Sequence, residues 1–337
     1  MLQGESPDRL PMDYWATEET TDKLLQYLGC DDRRMLYERL HIDAVFSVAA
    51  VYSGPPLPAA TDAFGCGHRE MDYGTGVYSE CISHPLAQYT SIEEIESQYS
   101  WPSPDWYDYS GVAAAAAAWS DYPIRGGGSE PFLTYKKLRG EEQAFVDLIE
   151  CPEMVHYCLD RLFELAYENT ARIYEQIPGQ VVLSYVAEDM GSQTGLMFSP
   201  PKIREFLLPG MQRMVDLAHQ AGVYVFHHND GAIREILPDL VAMGIDVLNP
   251  IQWRCSGMAR EELKREFGGD VVFHGGVDNQ YTLAFGSVDE VCLEVRDNIR
   301  ILGDGGGYIL APCHNIQAVS PPENIVAMYE TGFAERA

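Results

Sequence analysis

The second half of this chain repeats one pattern five times, and that repetition restricts its fold more than any other feature. Short apolar runs at Val181–Val186, Val223–His228, Ile245–Leu248, Val271–His274 and Tyr308–Ala311 alternate with longer segments at Pro200–Ala221, Ala232–Met243, Met258–Phe267, Val288–Leu302 and Pro322–Phe333. Short apolar runs bounded by turn signals read as strands buried on both faces, and apolar residues three and four apart read as helices. Successive β-α units make a parallel sheet with crossover helices. Eight such units close a (β/α)8 TIM barrel. The alternative, an open doubly wound sheet, usually carries a Gly-rich phosphate loop after a strand, and no GxGxxG occurs here. The chain has 337 residues, more than the about 250 of a bare barrel. The expectation is one α/β domain over 1–337, a (β/α)8 barrel whose N-terminal elaboration and early strands occupy 1–140 and whose regular units occupy 141–337.

The first half is less regular. Helices are expected at Glu18–Leu28, Arg33–Leu40, Ala113–Ala118, Glu141–Ile149 and Pro152–Ile177, and a strand at Ile42–Val51, closed by Gly54-Pro-Pro56. The Gly-, Tyr- and Cys-rich segment Asp62–His84 reads as a hairpin over the barrel mouth. Gly303-Asp-Gly-Gly-Gly307 lies before a strand, the wrong end of a barrel for a phosphate cradle, and reads as a tight helix-to-strand connection.

A net charge of −28 argues against nucleic acid, whose phosphates need Lys and Arg, and against polyanionic substrates. No stretch approaches the roughly 20 apolar residues of a membrane span, and polar, acidic Met1–Asp13 is no signal peptide. Eight cysteines form no CxxC pair, so the expectation is reduced thiols in a cytoplasm.

Polar residues gather at all five strand ends: Glu188 and Asp189; His228, Asn229 and Asp230; Asn249 and Gln252; His274 and Asp278; Cys313, His314 and Asn315. In a barrel these ends share one mouth, where catalytic groups sit. His228 and Asp230, two apart, face the same way if extension continues, whereas His227 faces the helix layer as a buried histidine. Converging His228, Asp230 and His314 suit a metal site and equally a proton-transfer site in which Asp230 orients an imidazole. Cys313 reads either as a soft ligand or as a small buried residue.

Five segments together resemble the uroporphyrinogen decarboxylase superfamily, which includes the cobalamin-dependent methyltransferases. They are Glu188-Asp-Met-Gly-Ser-Gln-Thr-Gly195 with Ser199-Pro200, His228-Asn-Asp-Gly231, Gly244-Ile-Asp-Val-Leu-Asn-Pro-Ile-Gln252, His274-Gly-Gly-Val-Asp278, and Gly305 through Asn315 with Pro321-Pro-Glu-Asn324. The resemblance implies a (β/α)8 barrel. It is closer to the methyltransferase branch than to true uroporphyrinogen decarboxylases, whose N-terminal arginine motif is missing: the corresponding region reads His41 to Tyr52. The methyltransferase branch carries a zinc site of His-x-Cys and a distant Cys. Here His228 matches the first ligand, Asp230 replaces the cysteine, and His314 best matches the distant one.

The resemblance implies transfer of a methyl group from a small methoxylated or methylated substrate to a corrinoid, held by this chain or by a partner corrinoid protein. Zinc or another divalent ion would sit on His228, Asp230 and His314. Glu188, Asp230 and His314 are the candidate catalytic groups. Asn249, Gln252, His274, Asp278 and Cys313 are the candidate substrate contacts. Two alternatives stand beside this reading. One is a cofactor-independent decarboxylase or lyase on a small acid, which needs a cation from among Arg125, Arg234 and Arg254. The other is a non-catalytic ligand-binding barrel.

Overall fold

The computed structural model describes residues 2, 7–74 and 76–335. Seven strands form one parallel sheet in chain order: β1 (Phe46–Val48), β2 (Ile124–Ser129), β3 (Val181–Ala187), β4 (Tyr224–His228), β5 (Val247–Asn249), β6 (Val272–Val277) and β7 (Tyr308–Pro312). Among the described residues no eighth full strand completes a ring. Two isolated bridges, Met12 to Leu310 on β7 and Ala16 to Ile316 just past it, hold the N-terminal segment there, and the Met12 carbonyl accepts from Asp43 N–H (2.8 Å), just ahead of β1. Pro11 has no N–H to extend a ladder there. The expected eight-stranded barrel is thus a curled seven-stranded parallel sheet with two isolated bridges at its seam.

Other departures have local causes. The expected helix 200–221 divides into Pro200–Phe206 and Leu208–Gln220, because Pro209 cannot donate to the preceding turn. The expected helix 232–243 shortens to Leu237–Met243, since Pro238 is tolerated only in a first turn. The expected strand 42–51 yields β1 and a separate pair, Val51–Tyr52 with Tyr107–Asp108. The hairpin expected within 62–84 forms from Gly67–Asp72 and Val77–Ser83; beyond its first strand, Tyr73 Oη donates to Gln317 at the mouth (2.9 Å).

Strand β2 and the helix Pro131–Arg139 go unforeseen, because Gly126-Gly-Gly128 reads as a loop. Its glycines serve a close approach. Gly128 has φ +132°, and a Cβ there would lie 1.9 Å from the Tyr185 carbonyl oxygen. The β2–β3 register shifts at this point, a bulge that only glycine fits.

Side chains alternate across the sheet. Val186, Val225, Leu248, Phe273 and Leu310 are buried against the helices, each burial contributing about 1.5–3 kcal/mol. On the other face, Leu183, Phe226 and Val247 form a small inner cluster with Trp15, Tyr185 and Val272. No described helix is long and apolar enough to cross a membrane.

Candidate active site

Strand parity decides which polar residues meet. Phe226 lies in the inner cluster, so His228 is the next inward position on β4 and His227 points the other way. The His227 ring is buried and its Nδ1–H donates to the Val186 carbonyl (2.7 Å). Burial pushes its pKa down to about 4, so it stays neutral. On β3 the inward series Leu183, Tyr185 and Ala187 leads to Asp189, not Glu188. The Glu188 carboxylate is buried and accepts from Phe132 N–H (2.7 Å) in the first turn of the helix Pro131–Arg139. Burial drives its pKa well up.

Asp189, His228 and Asp230 offer ligand atoms that all lie within 4.8 Å of one another. Two backbones in contact make this possible. A Cβ on Gly191 would lie 2.5 Å from the Asp230 carbonyl oxygen, and one on Gly231 would lie 2.6 Å from Ser192 O. The loops after β3 and β4 therefore touch where neither has a side chain. Hydrogen bonds fix them: Asp230 N–H donates to Asp189 Oδ1 (3.1 Å), and Gln252 accepts from Gly231 N–H (2.6 Å) while donating to Asp230 Oδ1 (2.9 Å).

His314 approaches from the loop after β7. Its Nε2 is 3.5 Å from Asp230 Oδ2, and its ring centre is 6.5 Å from that of His228. Burial pushes the Asp230 carboxyl up, His228 and His314 pull it back, and Asp189 adds to the rise; the net shift is upward. Two carboxylates and an imidazole nitrogen form an oxygen- and nitrogen-donor set that fits a divalent ion of zinc's preferences.

Two cavities lie near this cluster, of which the larger is lined by Asp230 itself. One, of about 420 Å³, is lined by Phe64, Tyr107, Glu130 and Tyr185 among others. Tyr185 stacks beside the His228 ring at 5.7 Å. Burial raises the Glu130 carboxyl, and Asp189 adds to that rise. The other, of about 670 Å³, is lined by Asp230 and His314 and by the amides Gln193, Asn279, Gln280 and Gln317.

The remaining sequence candidates lie around this centre. Asn249 and His274 are buried inside the barrel, hydrogen-bonded to each other at 2.7 Å, with Asn249 also on His228 Nδ1 at 2.6 Å. Asp278 pairs with Arg254 (2.7 Å) and accepts from the backbone of Gln280, Tyr281 and Thr282. The buried Cys313 thiol donates to the Ile251 carbonyl (3.1 Å), and burial puts its pKa well above the ordinary thiol value, so it is no ready thiolate. The sequence places Asp189 at a strand end without giving it a ligand role, and does not single out Glu130 or Asp13. Parity along β3 signals Asp189; Glu130 and Asp13 left no local signal.

A family model described as uroporphyrinogen decarboxylase (URO-D) matches residues 36–332. Among solved structures, a methyltransferase from Methanosarcina mazei is similar at 20% identity and a TM-score of 0.70, over 98% of this chain and 95% of that one. A putative vitamin-B12 independent methionine synthase from Listeria monocytogenes aligns at 9% identity over 97% of this chain and 96% of that one, with a TM-score of 0.45, too low to carry an argument. No curated protein sequence matches. At these identities the structural likeness speaks for the fold alone. The family match spans all seven strands of the parallel sheet and every residue of the Asp189–His228–Asp230 cluster, and the chain belongs to the uroporphyrinogen decarboxylase family.

Proposed function

We propose that this protein is a metal-assisted methyltransferase that moves a methyl group from a small methoxylated or methylated substrate to a corrinoid, bound by this chain or carried by a partner protein. The observation that carries the reading is the Asp189–His228–Asp230 cluster, three ligand atoms within 4.8 Å at the mouth, with one cavity lined by Asp230 and another by Tyr185, which stacks on His228. Family membership and a fold shared with the Methanosarcina mazei methyltransferase support it. Eight free cysteines suit a reducing cytoplasm.

Breaking a methyl ether requires charge on the departing oxygen to be stabilised. A divalent ion on Asp189, His228 and Asp230 supplies Lewis acidity there, and a corrinoid supplies the methyl acceptor. The chain's own groups hold and orient the reactants. Phe64, Tyr107 and Tyr185 give the smaller cavity ring faces for a methoxylated donor. Burial and the nearby Asp189 push the Glu130 carboxyl up, which favours it as the group that passes a proton to the leaving oxygen in that cavity. His314, with Nε2 3.5 Å from Asp230 Oδ2 and lining the larger cavity, serves as a fourth ligand or as a proton donor. The lyase alternative needs an anion anchor: Arg234 pairs with Glu266, and Arg254 with Asp278 and Glu294, which leaves Arg125, held over the Trp15 and Tyr185 rings with no carboxylate partner among the described residues, as the cation open to that reading.

A screen of methoxylated and methylated donors with reduced cobalamin tests this. The expected result is methylcobalamin formation with at least one donor, lost on chelation, restored by zinc, and abolished in His228→Ala and Asp230→Ala. Full turnover after exhaustive chelation ends the metal reading. No methyl transfer from any donor, by protein carrying stoichiometric metal, ends the methyltransferase reading.

A further inference from the structure

Behind His228 a hydrogen-bonded chain runs through the inside of the barrel to the seam. His228 Nδ1 meets Asn249 Oδ1 at 2.6 Å, Asn249 Nδ2 meets His274 Nδ1 at 2.7 Å, and His274 Nε2 meets Asp13 Oδ2 at 2.9 Å. All four residues are buried. We infer that Asp13, His274 and Asn249 are positioning residues that lock His228 in the tautomer protonated on Nδ1, so that its Nε2 lone pair faces Asp189 and Asp230.

Each link follows from the one before. The Asp13 carboxylate receives Tyr14 N–H on Oδ1 (2.8 Å) and Trp15 Nε1–H on Oδ2 (2.9 Å). Surrounded by donors, it acts as an acceptor, so His274 must present Nε2–H to it. A neutral His274 then has its lone pair on Nδ1 and requires a donor. Asn249 meets that need only with its NH2 group, which turns its oxygen toward His228. That oxygen accepts, so His228 must carry its proton on Nδ1. With a neutral His274 the reversed amide would set its oxygen against the His274 Nδ1 lone pair or, in the other tautomer, leave the Nε2 lone pair facing the Asp13 carboxylate; only a doubly protonated His274 would accept it, which is why the spectra are taken at mildly alkaline pH. The rings are also held from the side: Trp15 stacks on His228 at 5.7 Å and lies 6.0 Å from His274. His228 Nε2 is 3.7 Å from Asp189 Oδ1, so the free lone pair points into the cluster. Partners of this kind, one shell out, set ring orientation and basicity at metal-binding histidines.

Only the use of Nε2 for a metal rests on the proposed function; the tautomer does not. The test begins with long-range proton–nitrogen correlation spectra of the full-length, metal-free protein, labelled at its 9 histidines, at mildly alkaline pH. His228→Gln and His274→Gln assign the two signals. The expected pattern is Nδ1–H on His228 and Nε2–H on His274. A His228 protonated on Nε2 overturns the inference, and that spectrum needs no variant to fold beyond the two used for assignment. The second arm is zinc affinity. His274→Leu and Asp13→Asn are expected to weaken zinc binding by about 10–100-fold. His274→Gln, whose amide offers the same acceptor and donor, is expected to stay near the wild type. Equal zinc affinity in folded His274→Leu also overturns the inference. If the wild type binds no zinc, the metal reading fails while the spectra still decide the tautomer.

Discussion

Acid should weaken this fold through one residue outside the candidate site. His227 is fully buried, donates through Nδ1 to Val186, and has no partner at Nε2. A proton added at Nε2 would place an unsolvated charge in an apolar wall, which is why burial lowers its pKa from 6.5 to about 4. The sign follows from linkage. Between these two values the unfolded chain binds a proton that the folded chain refuses, so stability falls as pH drops through this window. At about 1.4 kcal/mol per unit the whole effect is about 3 kcal/mol, of which about 1 kcal/mol falls between pH 7 and about pH 5.5. His227→Asn keeps an N–H near the Val186 carbonyl and removes the titrating ring. Urea unfolding of both proteins across this range isolates the difference. The wild type is expected to lose about 1 kcal/mol more than the variant by about pH 5.5. Parallel pH profiles would refute the reasoning, because they would mean His227 is protonated equally in both states.

Three further outcomes are expected. Gly128→Ala forces a Cβ to within 1.9 Å of the Tyr185 carbonyl oxygen and should cost about 3 kcal/mol or more; thermal unfolding within about 2 °C of wild type would contradict it. Gly231→Ala, strained at φ +86° and facing Ser192 O at 2.6 Å, should part the loops carrying Asp189 and Asp230 and weaken zinc binding at least about 10-fold in a protein that remains folded; calorimetric titration reads this, and unchanged affinity counts against the shared site. Cys313→Ser should leave metal content unchanged, since the buried thiol only donates to Ile251; loss of stoichiometric metal on elemental analysis would make Cys313 a ligand after all.

The parts of this molecule that announce themselves in sequence are those built from periodic burial. The β-α repeats from Val181 onward are legible because each strand is apolar on both faces and each helix carries an apolar stripe. His228 and Asp230 were readable as a pair because spacing by two preserves the face of an extended strand. Applied to β3, the same rule picks Asp189 over Glu188, but only once the inward series Leu183, Tyr185, Ala187 is known. β2 was hidden because its three glycines answer to distant neighbours, Gly128 to the Tyr185 carbonyl, Gly126 to Ile173 and Val181, and Gly127 to Thr170, contacts with no local signature. Asn249 and His274 read as mouth residues from their place at strand ends. Their partners are each other, His228 and Asp13, and Asp13 lies 261 residues from His274, a separation no local pattern can encode.

The bridge at Met12 has a consequence for the order in which this protein can be assembled. Met12 and Asp13 are made early, yet they pair with Leu310 and His274, which are made near the end. The β-α units between them can stack neighbour on neighbour through local contacts. The seam must wait for the largest loop in the molecule to close, and topologies dominated by such distant contacts fold slowly. Because Asp13 anchors the chain that orients His228, a partly folded sheet can hold both carboxylates and the imidazole in place while the ring still turns freely. Competence for chemistry would then arrive as a last step, when the two ends of the sheet find each other.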